Sequence, residues 1–151
     1  MIESVGIIGA GTMGNGIAQI GAAAGLSVTM VDISDAAVKR GLSTIDGSLD
    51  RLVKKEKMSA ADREAALARI DATTDKAKLA NCDLVIEAAT ENEELKVKIL
   101  KDLCATLRPQ ALVATNTSSI SITKLAAATD RPDRFIGMHF FNPVPVMALL
   151  E

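Results

Sequence analysis

The stretch Gly9-Ala10-Gly11-Thr12-Met13-Gly14 decides the fold, because its glycines stand between a predicted strand and a predicted helix. The apolar residues 5–8 precede it, and the small and apolar residues 16–24 follow it. Gly25 suits the left-handed cap that ends such a helix, and residues 26–31 form a second apolar strand. This order of strand, glycine turn, helix and strand predicts the first unit of an α/β domain.

The spacing of the glycines gives each of them a physical role. Gly9 permits a tight turn, Gly11 lets a phosphate approach the backbone, and Gly14 lets the helix pack closely on the strand. The N-terminus of the helix offers unpaired N–H groups to an anion. Asp32 lies 18 residues after Gly14, where its carboxylate can accept both hydroxyls of a ribose. We therefore expect NAD rather than NADP, whose 2′-phosphate this carboxylate repels; the alternative is a purely structural glycine turn.

Length and composition are those of one globular domain. The chain has 151 residues, enough to bury about two thirds of its surface, and 48% of them are hydrophobic. A net charge of −2 and the lack of Trp and Tyr argue against nucleic-acid partners, and no apolar run reaches the length of a membrane span. Cys82 and Cys104 lack metal-ligand spacing, so we expect free thiols, no metal and a cytoplasmic location.

Two consecutive helices are predicted after Asp32, the first capped by Ser34 and the second by Ser59. The apolar stripe of the first helix is Val38, Leu42, Ile45, Leu49 and Leu52. The apolar residues of the second helix are Ala65, Leu67, Ala68 and Ile70. Because the crossover in a plain nucleotide-binding fold is shorter, we expect an antiparallel hairpin that stands off the sheet and offers a surface to a second ligand or partner.

The rest of the chain alternates strands with helices. The further predicted strands are residues 73–74, 84–89, 111–115 and 135–138. A capping box at residues 90–93 begins a helix, and residues 121–129 form a short one. The inner face of the longer helix is expected to be Leu95, Ile99, Leu100, Leu103 and Leu107. The alternation predicts a Rossmann-type, doubly wound parallel sheet with the helical hairpin inserted after the second strand.

Polar residues gather at the carboxyl ends of the predicted strands, where doubly wound sheets bind ligands. The glycine turn, Asp32, Glu91, residues 116–118 and His139 all fall there. His139 is the only histidine in the chain. Oxidation of an alcohol by NAD requires a group that takes the hydroxyl proton, and a histidine suits this role. The alternative is a histidine that merely satisfies its hydrogen bonds at a strand end.

Three segments together resemble the 3-hydroxyacyl-CoA dehydrogenases: GAGTMG at residues 9–14, NTSS at residues 116–119 and HFFNPVPVM at residues 139–147. The resemblance covers residues 5–151 and is nearest to bacterial members that act on 3-hydroxybutyryl-CoA, although fatty-acid oxidation multienzymes contain a similar domain. It implies NAD-dependent, reversible oxidation of (S)-3-hydroxyacyl-CoA, with 3-hydroxybutyryl-CoA as the expected substrate, to 3-oxoacyl-CoA.

The resemblance also implies a role for each candidate residue. His139 corresponds to the general base and acid, Glu151 to the carboxylate that orients it, and Ser118 to the serine that bonds the substrate oxygen. The positions expected to bind NAD are Gly9, Gly11, Thr12, Met13, Gly14, Asp32, Glu91, Lys96, Ser118 and Asn142. Ser48 and Lys55 correspond to contacts with CoA. Taken alone, Ser118 suits a helix cap equally well, and the lysines of residues 54–57 suit a solvated surface.

Members of this family continue into a mostly helical C-terminal domain that closes the cleft, supplies an asparagine and forms a homodimer. Residues 1–151 correspond to the NAD-binding domain alone, so we expect this chain to bind NAD but to have little activity. Two alternatives stay open: a non-catalytic dinucleotide-binding or sensor module, and a dehydrogenase of free 3-hydroxy acids. Binding of NADH without activity favours the first, and independence of CoA favours the second.

Overall fold

The computed structural model describes residues 1–151 as one parallel sheet covered by helices on both faces. The strands are β1 (Ser4–Ile8), β2 (Ser27–Val31), β3 (Ile70–Thr73), β4 (Leu84–Glu87), β5 (Leu112–Thr115) and β6 (Phe135–Gly137). The helices are α1 (Thr12–Ala23), α2 (Asp35–Lys54), α3 (Ala60–Ala68), α4 (Glu93–Thr106) and α5 (Ile122–Ala127). The strand order β3-β2-β1-β4-β5-β6 is that of the Rossmann fold and confirms the predicted architecture.

Two apolar clusters cover the two faces of the sheet. One joins Ile7 and Ile86 to residues of α1 and α2, and the other joins Val85 and Val113 to residues of α4 and α5. Successive strand residues point to opposite faces, so a run such as Leu84-Val85-Ile86 fills both clusters. This explains why the strands are continuous apolar runs. None of the helices combines the length and the apolar character that crossing a bilayer demands.

Helices α2 and α3 form the predicted hairpin, but the expectation that it stands off the sheet is wrong. Ile45, Leu49 and Ala66 are fully buried in the same cluster as α1 and the strands. Ser34 and Ser59 cap the two helices by accepting hydrogen bonds from backbone N–H groups of their first turns. The hairpin therefore packs over part of the sheet, because its apolar stripe is removed from water only by that packing.

Several element boundaries differ from those predicted, and two of the differences change where an element begins. Ile70, expected in the second hairpin helix, begins β3 and pairs with Val28 of β2. The α4 cap is Asn92, whose Oδ1 accepts the N–H of Leu95 at 3.0 Å, whereas Thr90 accepts the N–H of Asn92. The apolar character of Ile70 fits either element, and its place is set by pairing with a strand distant in sequence.

The carboxyl ends of the central strands extend into loops that lie side by side. The Gly9 N–H donates to the Val31 carbonyl at 2.8 Å, and the Ala88 N–H donates to the Ile8 carbonyl at 2.8 Å. Directly after β5, the N–H of Asn116 donates to the Glu87 carbonyl at 2.8 Å. These bonds continue the strand ladders past their last residues. They bring the glycine turn and the loops after β4 and β5 to one edge of the sheet.

Candidate active site

The glycine turn is fixed by backbone contacts on two sides. Gly9 has a φ of +106°, and a Cβ there would lie 2.7 Å from the Ala88 carbonyl oxygen. A Cβ on Gly14 would overlap the carbonyl oxygen of Gly9. Gly11 differs, because a Cβ there would have no atom within 4 Å. Packing therefore requires two of the glycines, while the third leaves open space at the N-terminus of α1, as a bound phosphate requires.

Asp32 is tied to the glycine turn. Its Oδ2 accepts the N–H of Ala10 at 2.8 Å, and its Oδ1 accepts the N–H of Ile33 at 2.6 Å. Each carboxylate oxygen can still accept a further hydrogen bond. Asp32 lines a cleft of about 410 Å³ together with apolar residues that include Ile33 and Ile99. We call this the adenosine cleft, because an apolar wall beside a carboxylate fits a base and its ribose.

A second cleft, of about 230 Å³, brings together residues from distant parts of the chain. Its lining is Met13, Glu91, Asn116, Ser118, His139, Phe140, Phe141 and Asn142. The sequence singled out Met13, Glu91, Ser118, His139 and Asn142 as site residues, and the fold places these side by side. We call this the catalytic cleft. It adjoins the start of α1, and so the glycine turn and the only histidine belong to one site.

His139 is held against Glu151 by both backbone and side chain. The N–H of His139 donates to the Glu151 carbonyl at 2.7 Å, and the reverse bond is 3.0 Å. The imidazole Nδ1 lies 3.3 Å from Glu151 Oε2, and the ring lies 4.5 Å from that of Phe141. The Glu151 side chain is 76% exposed, so its contact with the imidazole adds little to stability. The contact is made by Nδ1 and leaves Nε2 without a protein partner.

The turn after β5 is tied to two neighbouring segments. Asn116 Oδ1 accepts the N–H of Phe140 at 2.9 Å, and the Thr117 hydroxyl donates to Glu91 at 2.8 Å. The alternative role of Ser118 as a helix cap is not realised, because the residue that caps α5 is Ser121. The Ser118 hydroxyl makes no hydrogen bond within the chain. Ser118 is therefore free to bond a ligand in the catalytic cleft. The sequence placed Asn116 at this edge of the sheet but gave it no role of its own, and the structure shows that its side chain holds the backbone of Phe140.

Lys96, which is expected to contact the cofactor, is not among the residues that line the catalytic cleft. Its side chain is 0% exposed, and its ammonium pairs with the carboxylate of Glu87. The ammonium also donates to the Thr115 hydroxyl at 3.0 Å. Leu95, expected on the inner face of α4, is instead 48% exposed and lines the adenosine cleft. The reason is helical register, because Lys96 lies four residues before the buried Leu100.

Ser48 and Lys55 line a third cleft, of about 330 Å³, formed by α1, α2 and residues 142–146. Arg51 lies between them and lines the same cleft, although sequence reasoning missed it. The signal was its spacing of three and four residues from the two predicted contacts, which places all three on one face. Asn142 borders both this cleft and the catalytic cleft. The cations and hydroxyls of this third cleft therefore lie next to the cleft that contains His139. We call the third cleft the cationic cleft.

The two cysteines lie away from these clefts. Cys82 and Cys104 are free and buried in the cluster between the sheet and α4. Burial raises the pKa of each thiol above its ordinary value, which keeps both in the unreactive protonated form. The structure has no group of three or more potential metal-ligating side chains.

Comparison with known proteins shows the family. The family model for the 3-hydroxyacyl-CoA dehydrogenase NAD binding domain matches residues 4–151. The chain is 56% identical over 151 residues to a 3-hydroxybutyryl-CoA dehydrogenase of Bradyrhizobium diazoefficiens, covering 100% of this chain and 52% of that protein. It is 45% identical over 150 residues to a 3-hydroxyadipyl-CoA dehydrogenase of Escherichia coli, covering 99% of this chain and 32% of that protein.

Solved structures agree with this result. The crystal structure of the (S)-3-hydroxybutyryl-CoA dehydrogenase from Ralstonia eutropha is 64% identical, with a TM-score of 0.98 over 99% of this chain and 53% of that one. Arogenate dehydrogenase of Synechocystis, 16% identical with a TM-score of 0.64, shares the fold alone. The chain spans about half the length of the curated 3-hydroxybutyryl-CoA dehydrogenases that it matches. It belongs to the 3-hydroxyacyl-CoA dehydrogenase family, in which it corresponds to the NAD-binding domain.

Proposed function

We propose that this chain binds NAD and supplies the proton-transfer residues for the reversible oxidation of (S)-3-hydroxybutyryl-CoA to acetoacetyl-CoA. The observation that carries the proposal is the meeting of His139, Ser118 and Asn142 in one cleft beside the glycine turn. Relatives that are 56% and 45% identical over the whole chain bear the name 3-hydroxybutyryl-CoA dehydrogenase, which supports this choice of substrate.

The residues present fit a dinucleotide at the sheet edge. The open space at Gly11 suits the pyrophosphate, Asp32 suits the adenosine ribose, and Glu91 suits the nicotinamide half in the catalytic cleft. NAD, when bound, accepts the hydride that leaves C3 of the substrate. The remaining chemistry, which is the transfer of the hydroxyl proton and the placement of the reacting oxygen, falls to the side chains of this chain.

His139 is the proton-transfer residue in this proposal. With the Glu151 carboxylate at Nδ1, a proton is kept on Nδ1 and Nε2 is left as the base. Nε2 takes the proton of the 3-hydroxyl, and the carboxylate stabilises the imidazolium that forms. In the reverse reaction the imidazolium returns this proton to the 3-oxo group. The free hydroxyl of Ser118 donates to the same oxygen and holds it in place.

The cationic cleft supports an acyl-CoA substrate. Ser48, Arg51 and Lys55 offer a hydroxyl and two cations to the phosphates of CoA, and the cleft meets the catalytic cleft at Asn142. A dehydrogenase of free 3-hydroxy acids does not need a cleft that binds phosphates.

We also propose the homodimer that members of the family form. The exposed apolar side chain of Val146 fits a surface that further protein covers.

Calorimetry of NADH and NADPH binding to this chain tests the cofactor assignment. We expect NADH to bind at least about tenfold more tightly, because Asp32 repels a 2′-phosphate. Asp32→Ser removes the repulsion and should narrow the difference between the NADH and NADPH affinities. Asp35→Ser, which removes a nearby exposed carboxylate, should leave that difference unchanged. Equal affinities for NADH and NADPH in the unsubstituted protein would show that the assignment of Asp32 is wrong.

Reduction of acetoacetyl-CoA by NADH tests the reaction. We expect little turnover of acetoacetyl-CoA by this chain alone, clear turnover when the C-terminal half of a relative is supplied, and much less turnover of free acetoacetate. Tight NADH binding without turnover under both conditions would show a dinucleotide-binding module instead. Equal rates with acetoacetate would show a dehydrogenase of free acids, because the cationic cleft would then contribute nothing.

A further inference from the structure

Two amide side chains of α1 are buried along one wall of the cationic cleft. Asn15 and Gln19 are 8% and 3% exposed, and both line this cleft. Residues 142–146 form another wall, and they approach α1 so closely that a Cβ on Gly16 would lie 2.8 Å from the Cβ of Val144. This close packing on α1 leaves both amides little exposed. We call the pair Asn15 and Gln19 the amide floor.

The amide floor has hydrogen-bonding groups that the chain does not use. The Gln19 side chain makes no hydrogen bond within the chain, and Asn15 donates only to the Ala10 carbonyl, at 3.3 Å. The one buried side-chain nitrogen or oxygen that lacks both a partner and access to solvent is Arg63 Nε. The free amide atoms of Asn15 and Gln19 therefore still open into the cleft. Because buried polar groups are nearly always hydrogen-bonded, a ligand in the cleft is the partner that these atoms lack.

The amide floor differs in chemistry from the wall that α2 contributes. Arg51 and Lys55 of α2 are cations and suit phosphates. A side-chain amide carries no charge and has both donors and an acceptor, so it matches a neutral group that also has both, such as a secondary amide. A ligand that fills the whole cleft therefore combines phosphates with amides. CoA has this composition, since its pantetheine arm carries two amides between the phosphates and the thioester.

The spacing of the amide floor matches that arm. Gln19 lies four residues after Asn15, which is about 6 Å along the helix. The two amides of the pantetheine arm are separated by a unit one methylene longer than an ordinary residue, so they lie about 5 Å apart when the arm is extended. The cleft also meets the catalytic cleft at Asn142, where the thioester end of the arm has to arrive.

We propose that Gln19, assisted by Asn15, binds the amides of the pantetheine arm. Gln19 donates to the carbonyl of one amide, and the free Oδ1 of Asn15 accepts the N–H of the other. The inference rests on the proposed function, because it presumes an acyl-CoA substrate. It adds that the chain recognises the neutral arm as well as the phosphates. The chain should therefore distinguish CoA from a nucleotide that has phosphates but lacks the arm.

The test compares CoA with adenosine 3′,5′-bisphosphate, which lacks the arm. Each is titrated into this chain and followed by the NMR shifts of backbone amides. In Gln19→Met, whose side chain has a similar length, CoA affinity should fall about fivefold to tenfold, while the affinities for the bisphosphate and for NADH should change less than about twofold. Lys55→Met should weaken both CoA and the bisphosphate. Gln110→Met, at an exposed glutamine, is the matched control and should change none of these affinities.

Urea denaturation of the ligand-free proteins gives a second readout. Because the Gln19 amide has no partner in the chain, the urea midpoint of Gln19→Met should equal or exceed that of the unsubstituted protein. A clearly lower midpoint would show that the amide is structural and would overturn the inference. Unchanged CoA affinity in Gln19→Met, or an equal loss of CoA and bisphosphate affinity, would also overturn it and leave the acyl-CoA substrate in place. If the unsubstituted chain binds NADH but neither CoA nor the bisphosphate, the acyl-CoA part of the proposed function fails, and the inference fails with it.

Discussion

The glycine turn and the segment from His139 to Glu151 lie at the same edge of the sheet, but they are held in different ways. At the turn, backbone contacts at Gly9 and Gly14 leave no room for a side chain. At the other end, His139 and Glu151 are joined by two backbone hydrogen bonds and an exposed side-chain contact. The proposed cofactor side is thus built by packing, and the proposed proton-transfer side by a few surface bonds. Substitutions of Gly9 or Gly14 should therefore act on folding, and those of His139 on chemistry alone.

The largest effect is expected for Gly14→Ala, which tests whether packing builds the cofactor side. The new Cβ overlaps a backbone oxygen that cannot rotate away, so the free energy of unfolding should fall by about 3 kcal/mol. Urea denaturation measures this. Gly47→Ala in α2 is the control, since its Cβ meets only the end of the flexible Arg51 side chain, 3.8 Å away, and should stabilise the helix by up to about 1 kcal/mol. A Gly14→Ala protein as stable as the unsubstituted one would remove the basis of the comparison.

His139→Gln tests the opposite side. Loss of the base should slow the reduction of acetoacetyl-CoA by NADH at least about a hundredfold. Because the contact with Glu151 is exposed, the free energy of unfolding should change by less than about 0.5 kcal/mol. Initial rates and urea denaturation of the same preparations give both numbers. A large loss of stability would show that this pair, like the glycine turn, is structural, and retained turnover would exclude the proton-transfer role.

Gly11→Ala sharpens the comparison within the glycine turn itself. Gly11 has an extended conformation that alanine can adopt and open space around it, so folding should be unaffected. The added methyl group stands where the pyrophosphate approaches, and NADH affinity should fall about tenfold or more. Calorimetry beside urea denaturation separates the two effects. Unchanged NADH affinity in a folded Gly11→Ala protein would mean that the phosphates lie elsewhere.

Much of the fold followed from the sequence because local pattern and tertiary structure agree there. The glycine turn, Asp32 and the apolar strands were placed correctly, since a strand buried on both faces is apolar throughout. The meeting of Ser118 and His139 was also predictable, because the carboxyl ends of parallel strands share one edge. Topology thus converts distant residues into neighbours without knowledge of side-chain geometry.

Lys96 shows where this reasoning fails. Leu95 was predicted on the inner face of α4 because it is apolar. The helical period that places Leu100 and Leu103 on that face also places Lys96 there. A lysine side chain is almost never fully buried unless it is paired with an opposite charge. Here the partner is the carboxylate of Glu87, on a strand that is otherwise apolar. The bond between the Asn116 side chain and the Phe140 N–H is equally invisible in one sequence. Side-chain pairs across elements depend on coordinates, not on pattern.

Asp83 extends the comparison to the opposite end of β1 and β4, where a side chain rather than packing or surface bonds joins the strands. Its Oδ2 accepts the N–H groups of Glu3 at 2.8 Å and Ser4 at 2.9 Å, and these bonds lower its pKa from 3.8 to about 2. A carboxyl with a lowered folded-state pKa contributes stability above about pH 4, and this contribution is lost as the pH falls toward 2. The unfolding midpoint in urea should therefore fall more steeply with acid in the unsubstituted chain than in Asp83→Asn. Asp133→Asn, at an exposed aspartate outside this contact, should keep the steeper dependence, and equal slopes in all three proteins would show that the contact does not hold the two strands.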